Sequence, residues 1–171
     1  MKRSKQIIVV CHCLLNANAK IHPLANYAGI KEEVILPYLK QGAGIVQLPC
    51  PETSYLGMNR WGMTVEQYDN PGYVNHCRRI LEPSLAEIQA FHSAGYEILC
   101  VIGVDGSPSC GVNQTCTGFS GGEISSMETL APQIEALKLV NGQGVFIREF
   151  KALLDQRNIS LTFIGVDEEA I

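Results

Sequence analysis

Three short stretches place a thiol beside residues that favour turns: VCHCLLN at 10–16, LPCPE at 48–52 and GSPSCG at 106–111. Gly, Pro, Ser and Asn turn the chain without committing every backbone N–H to secondary structure. Amides near Cys13, Cys50 and Cys110 are therefore free to face a ligand or a sulfur. Three thiolates with no obvious fourth leave one coordination position of a metal open, the arrangement that catalytic sites keep and structural sites close. Zinc takes Cys or His in tetrahedral sites, and iron–sulfur clusters usually take four Cys. The C-x-x-C pairs of zinc ribbons are absent, and only Cys11 and Cys13 are close-spaced. On residue types alone an iron–sulfur centre, a zinc site in a hydrolase or a structural role, and a metal-free thiol site all stay open. So does a non-enzymatic module that handles sulfide or a labile cluster.

The elements that must position these thiols follow from hydrophobic periodicity. QIIVV (6–10), GIVQL (44–48), EILCVIGV (97–104) and LTFIGV (161–166) are continuous apolar runs, as parallel strands covered on both faces require. Residues 31–41 read as a helix that Pro37 kinks or splits. Val74, Cys77, Leu81, Leu85, Ile88 and Phe91 recur at spacings of three and four, one face of a second helix that Pro83 bends or restarts. Phe146, Phe150, Leu153 and Leu154 repeat the pattern near the C-terminus. The order is β-α-β-α-β-loop-α-β, which predicts a single α/β domain over residues 1–171: a mostly parallel four-stranded sheet with helices on both faces, Rossmann-like. In such sheets ligands bind beyond the carboxyl ends of the strands, near the topological switch point. Cys13 follows the first strand, Cys50 the second and Cys110 the third, so the three thiols are expected to converge on one edge.

A chain of 171 residues with 46% hydrophobic and 18% charged residues suits one well-buried domain rather than a disordered chain. Its net charge of −4, without a basic run after residue 5, argues against a nucleic-acid partner. A small molecule is the expected partner. No apolar stretch reaches the roughly 18 residues of a membrane span. The seven cysteines are an odd number, which favours reduced thiols and a cytoplasmic setting over a disulfide framework. The first 20 residues also sketch a secretory signal, with Lys2, Arg3 and Lys5, an apolar stretch and Ala17-Asn18-Ala19. His12 and two cysteines inside that stretch instead favour a strand followed by a ligand loop.

C-L-L at 13–15, C-P-E at 50–52 and S-P-S-C-G at 107–111 resemble the three signature stretches of the thiouracil desulfidase family, in their usual order and with similar separations. Residues 142–165 are similar to that family's closing helix and strand, so the resemblance covers most of the chain. It implies an iron–sulfur-dependent desulfidase, a divergent member in which Cys13, Cys50 and Cys110 hold a [4Fe-4S] cluster with one iron lacking a protein ligand. The implied reaction removes sulfur from a thiocarbonyl small molecule, such as a thiolated pyrimidine, by hydrolysis without net redox change. Glu52 of C-P-E and Ser107, the first serine of S-P-S-C-G, match positions implicated in catalysis. Replacing C=S by C=O requires a water, a proton donor and a soft acceptor for sulfur. Glu52 is suited to activating the water and Ser107 to orienting it.

The chain departs from the family around the first ligand. Cys11-His12 stands where small residues are common, and Asn16-Ala17-Asn18-Ala19 replaces an R-Y-D-G-like stretch, so a different substrate pocket is expected. Cys11 reads as a core residue at a strand end, with an accessory role for it or His12 as the alternative; Cys77 and Cys100 are expected in the core. The long aromatic loop at 54–73 suggests either a lid, with Trp61 and Tyr55 stacking on a planar heterocycle and Arg60 pairing with its anionic group, or a loop whose Trp61 plugs the core beneath it. Residues 105–127 read as a long functional loop carrying Cys116, an exposed thiol or accessory ligand.

Overall fold

The computed structural model describes residues 3–123 and 125–168; Lys2 of the basic start and Ile124 of the long loop lie outside them. In chain order the elements are β1 (Gln6–Val10), α1 (His12–Leu15), a 3₁₀ turn (Ala17–Ala19), α2 (Glu32–Lys40), β2 (Gly44–Gln47), α3 (Pro51–Leu56), α4 (Val65–Tyr68) and α5 (Pro71–Ser93). They continue with β3 (Glu97–Val104), β4 (Gln114–Thr117), α6 (Met127–Ala136), β5 (Lys138–Asn141), α7 (Val145–Asp155) and β6 (Phe163–Val166). The four apolar runs form a wholly parallel sheet of order β2-β1-β3-β6, with Val9 level with Val46 and Val101, and Val101 level with Phe163. Reversal of the strand order puts the topological switch point between β1 and β3.

The central strands β1 and β3 bury both faces along most of their length, while the edge strands β2 and β6 keep exposed positions. Ile7, Val9, Val46 and Val101 pack against Tyr73, Cys77, Leu81, Leu85 and Ile88 of α5 and Phe146, Phe150 and Leu154 of α7. On the opposite face Ile8, Val10, Cys100 and Ile102 meet Leu14 of α1 and Ile35 of α2. Each fully buried Leu, Ile or Phe contributes about 1.5–3 kcal/mol, so docking on the sheet decides whether a helix survives a local defect. Pro37 and Pro83 are such defects, and of the alternatives expected for them the split at Pro37 and the restart at Pro83 do not occur: α2 and α5 run through their prolines without interruption. Both rings sit on exposed faces, where losing one backbone bond leaves the packed stripe intact. Asn70 starts α5 by accepting from the Tyr73 N–H at 3.0 Å, with Pro71 next to it in the first turn.

The expected long loop at 105–127 is partly ordered as a strand. β4 pairs antiparallel with β5, Gln114 level with Asn141 and Thr117 with Lys138. QTCT is too short and polar to signal a strand, and its stability comes from a partner supplied later in the chain. Among the described residues no helix is long and apolar enough to cross a membrane.

Candidate active site

The three proposed ligands leave the carboxyl ends of adjacent strands. The Cys11 N–H donates to the Ile102 carbonyl at 2.9 Å, extending β1 beside β3 by one residue before α1 carries Cys13 over the sheet edge. The Leu48 N–H donates to the Val10 carbonyl at 2.8 Å, and two residues later Cys50 caps α3. Its sulfur accepts from the Thr53 N–H at 3.4 Å and its thiol donates to Thr53 Oγ1 at 3.2 Å. Beyond β3 the chain doubles back, so that the Cys110 carbonyl accepts from the Val104 N–H at 2.9 Å.

Cys13 and Cys110 are electrostatically joined to Cys50 and Cys11. The Cys13 thiol titrates well above the usual range because its sulfur is shielded from water, and further because Cys11, Glu168 and Cys50 oppose its charge, with Lys20 acting the other way. Cys110 is also raised, first by its hydrogen bond with Cys11, then by burial and by the charges of Cys11, Cys13 and Cys50. Cys11 is thus buried at a strand end as expected, yet it also touches the group. Desolvated thiols that oppose one another's ionisation need a cation to become thiolates together. Among the described residues no three Cys, His, Asp or Glu side chains are gathered to hold a single metal ion. Three soft sulfur donors carried by three loops near one sheet edge are the kind of ligand that an iron–sulfur cluster takes.

Glu52, in the first turn of α3, lies beside these thiols in a network of buried polar groups. Its Oε1 accepts from Ser109 Oγ at 2.8 Å and its Oε2 from Arg60 Nε at 3.2 Å. Ser109 is fully buried, and its oxygen lies 2.8 Å from Tyr73 Oη. Because the serine proton is given to the carboxylate, the tyrosine donates the second bond. Tyr68 packs its ring on Tyr73 with centroids 4.4 Å apart. Burial raises the Tyr68 phenol, and the charge of Glu52 and a hydrogen bond to it raise it further while Arg60 opposes.

The remaining expected residues take other places. Ser107 Oγ accepts from the backbone N–H groups of Cys110 at 3.0 Å and Ser109 at 3.3 Å, shaping the turn that presents Cys110. Arg60 engages each of its three guanidinium nitrogens within the chain: besides Glu52, it donates to the Ala19 carbonyl at 2.6 Å and the Gly57 carbonyl at 3.0 Å. It braces α3 against the turn after Cys13. Trp61 is 79% exposed. His12 is half-buried and bonds to Gln47. Cys77 and Cys100 are buried in the core, and Cys116 is half-buried on β4. Sequence reasoning missed Ser109, Tyr73 and Tyr68. The second serine of S-P-S-C-G was a readable signal; nothing in the spacing of the tyrosines marked them.

The Cys110 turn is also clamped by Asp105. Its Oδ1 accepts from the N–H groups of Val112 at 2.9 Å and Asn113 at 2.8 Å, and its Oδ2 from the Asn113 amide at 2.9 Å. Burial opposes ionisation, but the bonds from Asn113, Val112 and Gln114 prevail and hold the carboxyl below its ordinary value. With a depressed folded pKa, the stabilisation is complete above about pH 4, the unfolded value, and is lost as pH falls through the folded one. Asp105→Ala is expected to cost about 2–4 kcal/mol at pH 7. Acid titration followed by circular dichroism should show a smaller loss of stability below pH 4 in the variant than in the wild type; equal acid sensitivity would refute the clamp.

No family model matches the chain. A solved structure titled as the [4Fe-4S]-dependent thiouracil desulfidase TudS (DUF523Vcz) is 19% identical, with a TM-score of 0.46 over 92% of this chain and 90% of that one. That likeness is too distant to assign a residue or an activity. Uncharacterized protein MJ0003 of Methanocaldococcus jannaschii is 37% identical over 110 residues, which span 64% of this chain and 70% of that protein. At that identity and coverage the chain belongs to the same family as MJ0003.

Proposed function

We propose that the protein is an iron–sulfur-dependent desulfidase that hydrolyses a thiocarbonyl group in a small molecule such as a thiolated pyrimidine. The observation that supports this reading is that Cys13, Cys50 and Cys110 each follow the carboxyl end of one of three adjacent strands, within electrostatic reach of one another, with Glu52 two residues after Cys50. The resemblance of C-L-L, C-P-E and S-P-S-C-G to desulfidase signatures supports it. Bound by these three cysteines, a [4Fe-4S] cluster with one iron free of protein ligands would supply a soft acceptor for sulfur.

The overall change is R₂C=S + H₂O → R₂C=O + H₂S, which needs no oxidant or reductant. Glu52 takes a proton from the attacking water. Arg60 and Ser109 hold one carboxylate oxygen each and so fix the base in place. Ser107 acts by presenting Cys110 and, as the signature match implies, by ordering polar groups around the substrate. We place the protein in the cytoplasm, where seven unpaired thiols persist.

The test is anaerobic purification, assay of iron, zinc and acid-labile sulfide, then addition of 2-thiouracil with sulfide release followed over time. Iron with matching sulfide and turnover is expected. A protein that holds zinc and no iron, even after anaerobic reconstitution, would overturn the reading. Glu52→Gln should keep its iron and lose about 10²–10⁴-fold in kcat; a variant with wild-type turnover would remove Glu52 from the chemistry.

A further inference from the structure

The fourth strand of the parallel sheet, β6, ends at the same edge as the three strands that precede the cysteines. Two residues past it stands Glu168. Its side chain is only 11% exposed and forms an ion pair with Lys20, itself 10% exposed. A carboxylate so shielded needs partners for its oxygens. Oε2 takes the Lys20 ammonium, and Oε1 accepts from Tyr27 Oη at 2.6 Å, the short range of a charge-assisted bond. The same ammonium lies over the Tyr27 ring, 5.2 Å from its centroid, and the Glu168 carbonyl accepts from Asn26 Nδ2 at 2.8 Å.

Tyr27 joins this group to Cys13. Its Oη also donates to the Cys13 carbonyl at 3.0 Å, so one hydroxyl hydrogen is shared between two acceptors in a three-centre bond. Burial, then the hydrogen bond and charge of Glu168, raise the phenol and keep that hydrogen in place. Lys20, Asn26 and Tyr27 belong to the segment between the 3₁₀ turn and α2, which has no helix or strand and is largely exposed. Backbone bonds fasten its far end to the chain just after Cys13: the Ala17 N–H donates to the Gly29 carbonyl and the Lys31 N–H to the Leu14 carbonyl, both at 2.8 Å. Its middle is held by Glu168. Irregular exposed segments open locally at little cost unless such contacts tie them down.

We infer that Glu168 is a positioning residue for Cys13, acting through Tyr27: the carboxylate at the end of the fourth strand holds the tyrosine that fixes the Cys13 backbone, and so keeps the thiol in place. The inference deepens the desulfidase reading and rests on it only for the cluster that the thiol would hold. Three strands send a cysteine to this edge, and the fourth sends the carboxylate that steadies one of them. Glu168 also acts directly on the Cys13 sulfur through its charge, with Lys20 opposing, which places the pair close to the thiol it serves.

The test is alkylation of the native, metal-free full chain with iodoacetamide, resolved cysteine by cysteine by mass spectrometry. In Glu168→Ala, Cys13 should react about tenfold faster than in wild type, the weight of one hydrogen bond to a charged group on local opening. Cys77, Cys100 and Cys116 should react as before, and the melting temperature should stay near wild type. Glu168→Gln keeps an acceptor for Tyr27 Oη and should recover most of the protection. Tyr27→Phe should match Glu168→Ala, and the double variant should exceed neither, because both break one connection. Unchanged Cys13 reactivity in Glu168→Ala, a rise shared by all the cysteines, no recovery in Glu168→Gln, or additive effects in the double variant would overturn the inference. In the iron-loaded protein, Glu168→Ala should yield its iron to a chelator faster than wild type; equal rates would overturn it too. If the wild type binds no iron, the desulfidase reading falls, and alkylation of the metal-free chain still decides whether Glu168 holds Cys13.

Discussion

Gly144→Ala is expected to destabilise the protein by about 3 kcal/mol or more, because the new methyl group would enter space occupied by backbone. Gly144 precedes α7, and a Cβ there would lie 2.4 Å from the Ser109 carbonyl carbon and oxygen and 2.8 Å from the Cys110 nitrogen. No flexible side-chain tip is available to move aside. The same junction is tied by the Gly144 N–H donating to the Gly111 carbonyl at 3.0 Å, the Val145 N–H to Pro108 at 3.0 Å and the Ile147 N–H to Ser109 at 3.2 Å. Displacing it therefore moves both Cys110 and the serine that holds Glu52. A melting temperature lower by roughly 6–12 °C is expected for a chain of this size, together with loss of iron binding. Gly62→Ala is the control: a methyl group added there would meet nothing within 4 Å, so its effect should stay within about 0.5 kcal/mol. Equal melting temperatures for wild type and Gly144→Ala would show that α7 does not grip the Cys110 turn.

Cys50→Ser should abolish cluster binding while leaving the metal-free fold intact, which makes it the cleanest of the three ligand replacements. The Cys50 sulfur caps α3 through the Thr53 N–H, and serine is a better helix cap than cysteine. The variant loses a soft ligand without losing the local structure. Iron per chain is expected to fall from about four towards zero after anaerobic reconstitution, since clusters are held by thiolates. The metal-free protein should melt within about 1 kcal/mol of wild type. Cys13→Ser and Cys110→Ser should also lose iron. Cys116→Ser, whose thiol lies on β4 outside the group, should keep it. Full iron content in Cys50→Ser would remove this residue from the ligand set and leave the convergence without a purpose.

The four strands of the parallel sheet were legible because each is a short apolar run, and a strand buried on both faces has few other compositions open to it. The 97–104 run matches β3 residue for residue. The helices were legible from their stripes, though not their passage through Pro37 and Pro83, because the cost of a proline is local and the packing that overrides it is not. β4 was not legible, since its pairing with β5 comes from a distant segment and leaves little trace in QTCT.

At the candidate site, the sequence by itself determined which sheet edge the three proposed ligands share. Strand order and the right-handed crossover rule bring the ends of β1, β2 and β3 together whatever the side chains do, and each end carries a cysteine. Only the tertiary structure decided how Glu52 is held. Ser109 rather than Ser107 reaches it from 57 residues away, Arg60 turns inward to it, and Tyr68 stands beside it, packed on Tyr73. Topology fixes where chain segments meet to within several ångströms, and periodic patterns are enough to read it. A hydrogen bond is won or lost over a few tenths of an ångström, a margin set by the packing of the whole core.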